Sequence, residues 1–269
     1  MIQHLLSPLV CERFTSEERY RNGHLRVVNA LPARRVLGLH SPEMKRLAVA
    51  VSKEGAMAYV NGVHRRCRNG AELIACFEEE DAVNLCHEEI IIWGFLINLE
   101  KCPVGRRLQW LQRYVPAIDN WAVCDSYCAH AKWMARTDKK VLWSFLQQWF
   151  HSEREFEVRF ALVTAMCHFL DDDWLELLFS QIEKLNFNII KSEYRSTKSK
   201  PSTPQQGTVQ GKEPYYVRMG TAWLLATALA KYPERTRAFA GNSALPEDVL
   251  RLYVRKARES FRTRCMAAL

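Results

Sequence analysis

The chain has 269 residues, of which 48% are hydrophobic and 25% are charged, a balance that is normal for a globular protein and can fill one large core or two small ones. Its longest apolar run, Ile90 to Ile97, is too short to cross a bilayer, which excludes a membrane-spanning helix. The formal net charge of +8 suits a polyanionic partner, because phosphates attract clustered Lys and Arg, but many basic chains have no such partner.

Apolar residues recur at intervals of three and four along almost the whole chain, which predicts an all-α protein. Ser41 predicts an N-cap, followed by Pro42 in the first turn and Glu43 where the helix dipole favours an acid. Gly55 predicts the end of that helix. Further helices are predicted near residues 71–79, 83–100, 105–115, 120–136, 139–151, 154–170, 172–186, 214–231 and 246–262. Only residues 25–39 are predicted to be extended or irregular.

Residues 191–212 interrupt the helical pattern, because Val209 is their one large aliphatic side chain. Their Ser, Thr, Lys, Gln, Pro and Gly residues cannot offset the entropy of ordering, so we predict a flexible loop. The segment contains one acidic residue, Glu193, and five basic residues: Lys191, Arg195, Lys198, Lys200 and Lys212. The composition therefore predicts a cationic flap rather than a catalytic element.

A short internal repeat links two of the predicted helices. Residues 156–161 and 215–220 both read aromatic-x-Val-Arg-apolar-small. Without the intervening loop their spacing is about forty residues, the period of HEAT-like helical pairs. Such pairs stack into a curved solenoid with a concave face, so we predict one HEAT-like repeat domain over residues 1–269.

The nine cysteines are odd in number and form no visible disulfide framework, which is typical of a reducing cytosol. The first residues contain Pro8 and lack a basic region, so we expect no signal peptide and a cytoplasmic location. Cys124 and Cys128, with His130 or His87, could contribute to a zinc site, but zinc needs four convergent ligands. We therefore interpret these thiols as buried and expect no metal.

The strongest candidate site begins with Trp121 and Asp125, which share one face of a predicted helix at positions i and i+4. A tryptophan beside a carboxylate provides a stacking surface next to an anion; the alternative is a core Trp and an exposed Asp. Arg159 opens an apolar helix and needs a partner, either a carboxylate such as Asp125 or a phosphate. Trp223 lies on the same helix face as Tyr216, a pattern that also fits a core stripe.

These motifs, in this order, resemble the signature of the DNA alkylation repair family of helical-repeat glycosylases. The similar segments cover most of residues 36–262: Leu37-Gly38 to Pro42, Asn120-Trp121 to Asp125, Phe156 to Phe160, Tyr215 to Trp223, and Lys256 to Ser260.

The resemblance implies a solenoid that holds duplex DNA in its concave groove and excises bases made cationic by alkylation, chiefly N7- and N3-alkylated purines, without metal or cofactor. It implies that Asp125 is the catalytic carboxylate, that Trp121 and Trp223 flank the sugar and backbone of the lesion, and that Arg159 lies beside them.

Three further residues are predicted to bind DNA. Ser41 lies at a helix N-terminus whose unpaired N–H groups suit a phosphate, and Tyr216 and Arg218 belong to the motif before Trp223. The sequence departs from the family pattern at Ala226, where some members place a basic residue, and in the long loop. We expect a monomer. Two alternatives stay open: a non-catalytic helical-repeat protein that binds structured or damaged DNA, and a protein–protein scaffold.

Overall fold

The computed structural model describes residues 1–192 and 213–266. This part of the chain is 67% helical and contains 14 α-helices and one two-stranded sheet, which confirms the predicted all-α class. The predicted flap falls mostly on residues 193–212, which lie outside the described residues. None of the described helices is long and apolar enough to span a membrane.

The chain divides into two compact units, Met1–Thr137 and Asp138–Leu269. The single HEAT-like domain and its solenoid arrangement therefore stay predictions. The elements of the first unit are α1 (Gln3–Leu6), α2 (Glu12–Ser16), α3 (Glu18–Val28), α4 (Ser41–Glu54), β1 (Ala56–Val60), β2 (Val63–Cys67), α5 (Gly70–Glu79), α6 (His87–Leu99), α7 (Val104–Tyr114) and α8 (Trp121–His130).

In the first unit, α4, α6 and α8 form a row in which α6 packs against both neighbours, while α5 and α7 pack beside it. Helix α6 is buried on all sides from His87 to Ile97, as the central helix of a row must be, and even its Glu88 and Glu89 are fully buried. Its Trp93 stacks on Phe77 of α5 with ring centroids 5.5 Å apart and meets Tyr114 of α7 edge-on. The core of this unit is therefore centred on α6.

The second unit contains α9 (Lys139–Phe150), α10 (Glu155–His168), α11 (Leu175–Glu183), α12 (Tyr215–Lys231), α13 (Pro233–Asn242) and α14 (Glu247–Glu259). Here α10, α12 and α14 form a row of the same kind. Helix α9 packs beside α10, and Phe179 of α11 stacks on Phe239 of α13 with ring centroids 4.4 Å apart. Each unit thus has a row of every second helix with the intervening helices alongside.

Several local predictions need correction. Helix α4 begins at Ser41 with His40 as its N-cap residue, so the prediction of Ser41 as the cap is wrong. The prediction of a helix up to residue 136 is also wrong, because α8 ends at His130 and only a short 3-10 turn, Met134–Arg136, follows. Helices α1, α2, α3 and α13 were not predicted. The irregular segment starts at Asn29, whose left-handed φ of 48° ends α3.

The hairpin of β1 and β2 was also missed, although its turn carries a recognisable signal. Asn61 and Gly62 have φ values of 47° and 84°, as a two-residue type I′ turn requires, and Asn-Gly is the preferred sequence for that turn. Ala58, Val60 and Cys67 are buried, and both strands pack against α5. The hairpin is therefore an extension of the α4–α5 connection rather than a separate layer.

Gly38 fixes the entry to α4. Its φ is 86°, its N–H donates to the buried Glu88 carboxylate at 2.8 Å, and the Phe14 ring occupies the space where a side chain would start. The N–H of Leu37 donates to the same carboxylate at 3.0 Å. Residues 37–38 are thus held from one side by an acid of α6 and from the other by an aromatic ring of α2.

We predict that Gly38→Ala lowers the free energy of unfolding by about 1–3 kcal/mol, because a side chain adds left-handed strain and displaces Phe14. The matched control is Gly23→Ala in the middle of α3, where nothing lies within 4 Å of the added methyl group. That change should stabilise the protein by about 0.5–1 kcal/mol. Urea unfolding of both variants measures the difference, and equal midpoints would show that residue 38 tolerates a side chain.

Candidate active site

The first turn of α8 presents both predicted site residues of the first unit. Asn120 is fully buried and caps the helix, its Oδ1 accepting the N–H of Val123 at 3.1 Å. Trp121 is the first helical residue and Asp125 follows one turn later, and both are half-buried. The residues that α8 buries in the core are Val123, Cys124, Tyr127 and Cys128. Trp121 and Asp125 thus lie at the edge of the core-facing side of α8.

Trp121 is held in place through its ring nitrogen. Its Nε1 donates a 2.8 Å hydrogen bond to the carbonyl oxygen of Val27, in the last turn of α3. A helix leaves its last carbonyls without intrahelical partners, so this indole supplies one of the missing donors. The start of α8 and the end of α3 are therefore joined at the tryptophan.

A buried polar network lies behind this turn. Asn120 Nδ2 donates to Asp119 Oδ1 at 2.7 Å, and Asp119 Oδ2 accepts from Arg34 Nε at 2.6 Å. The Arg34 and Asp119 side chains are each only 8% exposed. Arg34 also donates to the carbonyl oxygens of Ala82 and Leu85 in the turn before α6. The network connects the irregular segment 29–40 to the N-termini of α6 and α8.

His87 completes the network, and its protonation state follows from the donors around it. The Asp119 carboxylate can only accept, and Asn120 Oδ1 is already an acceptor for Val123, so the Asn120 amide nitrogen must face both Asp119 and His87. His87 Nδ1, 3.1 Å away, therefore accepts, and the neutral ring carries its proton on Nε2. Burial lowers the pKa of His87 to about 4.

Arg159 of the second unit is buried rather than exposed, with 4% of its surface accessible. Its guanidinium donates to the carbonyl oxygen of Tyr216 at 2.9 Å and lies over the Tyr216 ring. One turn earlier on α10, the buried Glu155 carboxylate accepts the N–H of Tyr216. Arg159 and Glu155 of α10 therefore both form hydrogen bonds with the backbone of the first turn of α12.

Burial raises the pKa of the Glu155 carboxyl above its usual range, and hydrogen bonds from Ser192, Tyr216 and Val217 together with the Arg159 charge oppose that rise. Ser192 and Tyr216 stand on either side of the segment 193–212. Lys191 is attached as well, through its N–H to the carbonyl of Glu153 at 2.6 Å. The residues on both sides of segment 193–212 are thus hydrogen-bonded to the first turn of α10 and to the residues just before it.

The remaining predicted residues of the second unit have different surroundings. Arg218 forms an ion pair with Asp248 of α14, in which its Nη1 lies 2.6 Å from each carboxylate oxygen, and its guanidinium lies over the Phe187 ring. Trp223 is 36% exposed, so it is not a core residue of α12. Arg159, Tyr216, Arg218 and Trp223 all belong to the second unit and Trp121 and Asp125 to the first. That the two sets face one surface stays a prediction.

Cys124 and Cys128 of α8 are buried thiols, and none of the nine cysteines forms a disulfide. Over residues 1–192 and 213–266 there is no group of three or more His, Cys, Asp or Glu side chains that could hold a metal ion. Sequence reasoning missed the network of Arg34, His87 and Asp119, because its members lie far apart in the chain and show no common motif.

A family model described as DNA alkylation repair enzyme matches residues 31–188, which is more than half of the chain. The chain belongs to the DNA alkylation repair family. No curated protein and no solved structure matches it. Membership assigns it a role in the repair of alkylated DNA, with DNA as the molecule on which it acts. The matched part includes Trp121, Asp125 and Arg159, whereas Tyr216, Arg218 and Trp223 lie beyond it.

The environment of His87 predicts a pH dependence of stability. The unfolded state takes up a proton near pH 6.5 and the folded state only near pH 4, so the free energy of unfolding should fall as the pH drops through that window. Each pKa unit corresponds to about 1.4 kcal/mol, which makes the full loss about 3 kcal/mol.

His87→Gln keeps an acceptor for Asn120 but removes the titrating group, so urea unfolding at pH 7 and pH 4.5 should show a smaller pH-dependent loss than in the wild type. His64→Gln on the exposed hairpin is the matched control and should leave the loss in place. If His87→Gln and the wild type lose stability equally, the folded protein protonates His87 as readily as the unfolded chain.

Proposed function

We propose that the protein is a DNA glycosylase that hydrolyses the N-glycosidic bond of cationic alkylated purines, such as 7-methylguanine and 3-methyladenine, in duplex DNA. The observation that carries this proposal is the half-buried Asp125 carboxylate, one turn from Trp121 on a helix whose start is fixed by buried hydrogen bonds. Family membership supplies the substrate class. We further propose that it acts as a monomer in the cytoplasm and needs no metal or cofactor.

The chemistry follows from the charge of the lesion. Alkylation at N7 or N3 gives the purine a positive charge, and cleavage of the bond between base and sugar moves the bonding electrons to the base, which leaves neutral. Positive charge then develops on the sugar, as in glycoside hydrolysis, until water adds and releases a proton. A fixed carboxylate beside the sugar stabilises that charge and orients the water. Aromatic faces such as those of Trp121 and Trp223 add a cation–π contribution.

The helix rows support a groove-shaped binding surface. Rows of every second helix, with the other helices alongside, occur in both units, as in the pairs of HEAT-like repeats. We propose that these helix rows belong to a HEAT-like solenoid and that their concave face is the surface on which DNA lies.

The second-unit arginines then have different roles. Arg159 acts as a positioning residue, because its guanidinium already holds the Tyr216 carbonyl at the start of the Trp223 helix. Tyr216, Ser41 and Arg218 are proposed DNA contacts. Arg218 must first exchange its Asp248 partner for a phosphate, which makes its contribution smaller than that of an unpaired arginine.

We predict that Asp125→Asn keeps the fold and the DNA affinity but slows excision of 7-methylguanine by about 10²–10³-fold. Asn has nearly the same shape, so the change removes one negative charge beside a sugar that is neutral in the ground state and positive in the transition state. Single-turnover release of 7-methylguanine from methylated duplex DNA at saturating enzyme measures the chemical step directly.

Asp173→Asn is the matched control, because it removes the same charge from an exposed carboxylate in the other unit and should leave the rate unchanged. A wild-type rate for Asp125→Asn would mean that Asp125 is structural. If the wild type itself binds the duplex but releases no alkylated base, the non-catalytic DNA-binding function replaces the glycosylase. A neutral lesion such as ethenoadenine should be a poor substrate, because without protonation its base would have to leave as an anion.

A further inference from the structure

One face of α3 carries a basic depression that the sequence analysis did not predict. Arg19, Asn22, Gly23 and Arg26 recur at i, i+3, i+4 and i+7, so they lie on one side of the helix. Together with Glu18 they line an open depression of about 530 Å³. Gly23 has no side chain and nothing lies within 4 Å of the position where one would start, so the helix backbone is accessible from the depression there.

The two arginines of this face carry unneutralised charge. Both are exposed, and neither forms an ion pair within the described part of the chain. Nearby arginines differ: Arg13 pairs with Glu17 at 2.7 Å, and Arg34 pairs with the buried Asp119. Glu18, at the rim, is the one acid of the depression against two bases. The depression therefore suits an anion that can approach the helix backbone closely at Gly23.

The depression is also fixed next to the candidate site. Val27, whose carbonyl accepts the Trp121 indole N–H at 2.8 Å, directly follows Arg26 in the chain. Both helices belong to the first unit, so their relative position is set by that bond and by the packing of one compact body. A nucleic acid strand that runs along α3 away from Trp121 therefore meets Arg26 first and then Arg19.

We propose that this face of α3 binds two backbone phosphates of the DNA strand that passes Trp121, with one phosphate at Arg26 and one at Arg19. The proposal rests on the proposed function and adds to it the element that holds the strand beside the site. Seven residues of helix separate the two arginines by about 10 Å. Measured along the duplex axis, where one strand of B-DNA rises about 3.4 Å per nucleotide, this separation corresponds to about three nucleotides.

The test measures how the affinity for an undamaged duplex depends on salt. Each lost phosphate contact should reduce the slope of log affinity against log salt concentration by about 0.9. We expect Arg19→Ala/Arg26→Ala to lose close to two such contacts, while the single-turnover excision rate at saturating enzyme stays at the wild-type value. The double variant Arg19→Lys/Arg26→Lys should keep most of the salt dependence of binding, because both positive charges remain.

The control double variant is Arg46→Ala/Arg68→Ala, which removes the same net charge from exposed arginines that already pair with Glu43 and Glu72. An equal loss of slope in both double variants would reveal a general charge effect and overturn the proposal. The proposal would also be overturned if Arg19→Ala/Arg26→Ala kept the wild-type slope with DNA but no longer bound polyglutamate, used as a probe for an acidic protein. That result would indicate an acidic protein partner. If the wild type excises alkylated bases and Arg19→Ala/Arg26→Ala has the wild-type slope, only this inference is contradicted. If the wild type binds no duplex, the proposed function is contradicted too.

Discussion

The candidate site depends on the direction of two hydrogen bonds made by one amide. Asn120 donates from the same nitrogen to Asp119 and to His87, while its oxygen caps α8. Rotating the amide by half a turn would put an oxygen against a carboxylate and an N–H against the Val123 N–H, so only one orientation is possible. Through that orientation the start of α8, and with it Trp121 and Asp125, is tied to α6 and to Arg34.

The same physical need recurs at the helix N-termini of the second unit. A helix start leaves N–H groups without partners, and burial makes that costly unless a side chain supplies an acceptor. Glu155 of α10 meets that need by accepting the N–H of Tyr216 in the first turn of α12. Arg218 of α12 contacts the start of α14 in another way, by pairing with the Asp248 side chain in its first turn. The repeated aromatic-x-Val-Arg pattern now has a cause: each arginine, Arg159 and Arg218, reaches the beginning of the next helix in its row.

Helix class and most helix positions could be predicted because three/four periodicity is a local property of the sequence. The hairpin was lost to the helical pattern around it, although Asn61-Gly62 carried a sufficient turn signal. The start of α4 was misplaced by one residue because Gly38 and Glu88, not Ser41, fix the chain there. The network of Arg34, His87 and Asp119 could not be predicted, because its partners are separated by dozens of residues and meet only after folding.

Energetics explain why this network matters more for geometry than for stability. A buried ion pair such as Arg34–Asp119 gains little net free energy over apolar side chains of the same volume, because desolvation offsets most of the attraction. Removing one partner would still cost about 3–5 kcal/mol, because the other charge would stay buried without compensation. A carboxylate stabilises a developing charge best when it is already oriented and needs no reorganisation. The rigid start of α8 provides this for Asp125, and the Val27 bond of Trp121 extends the same rigidity to α3.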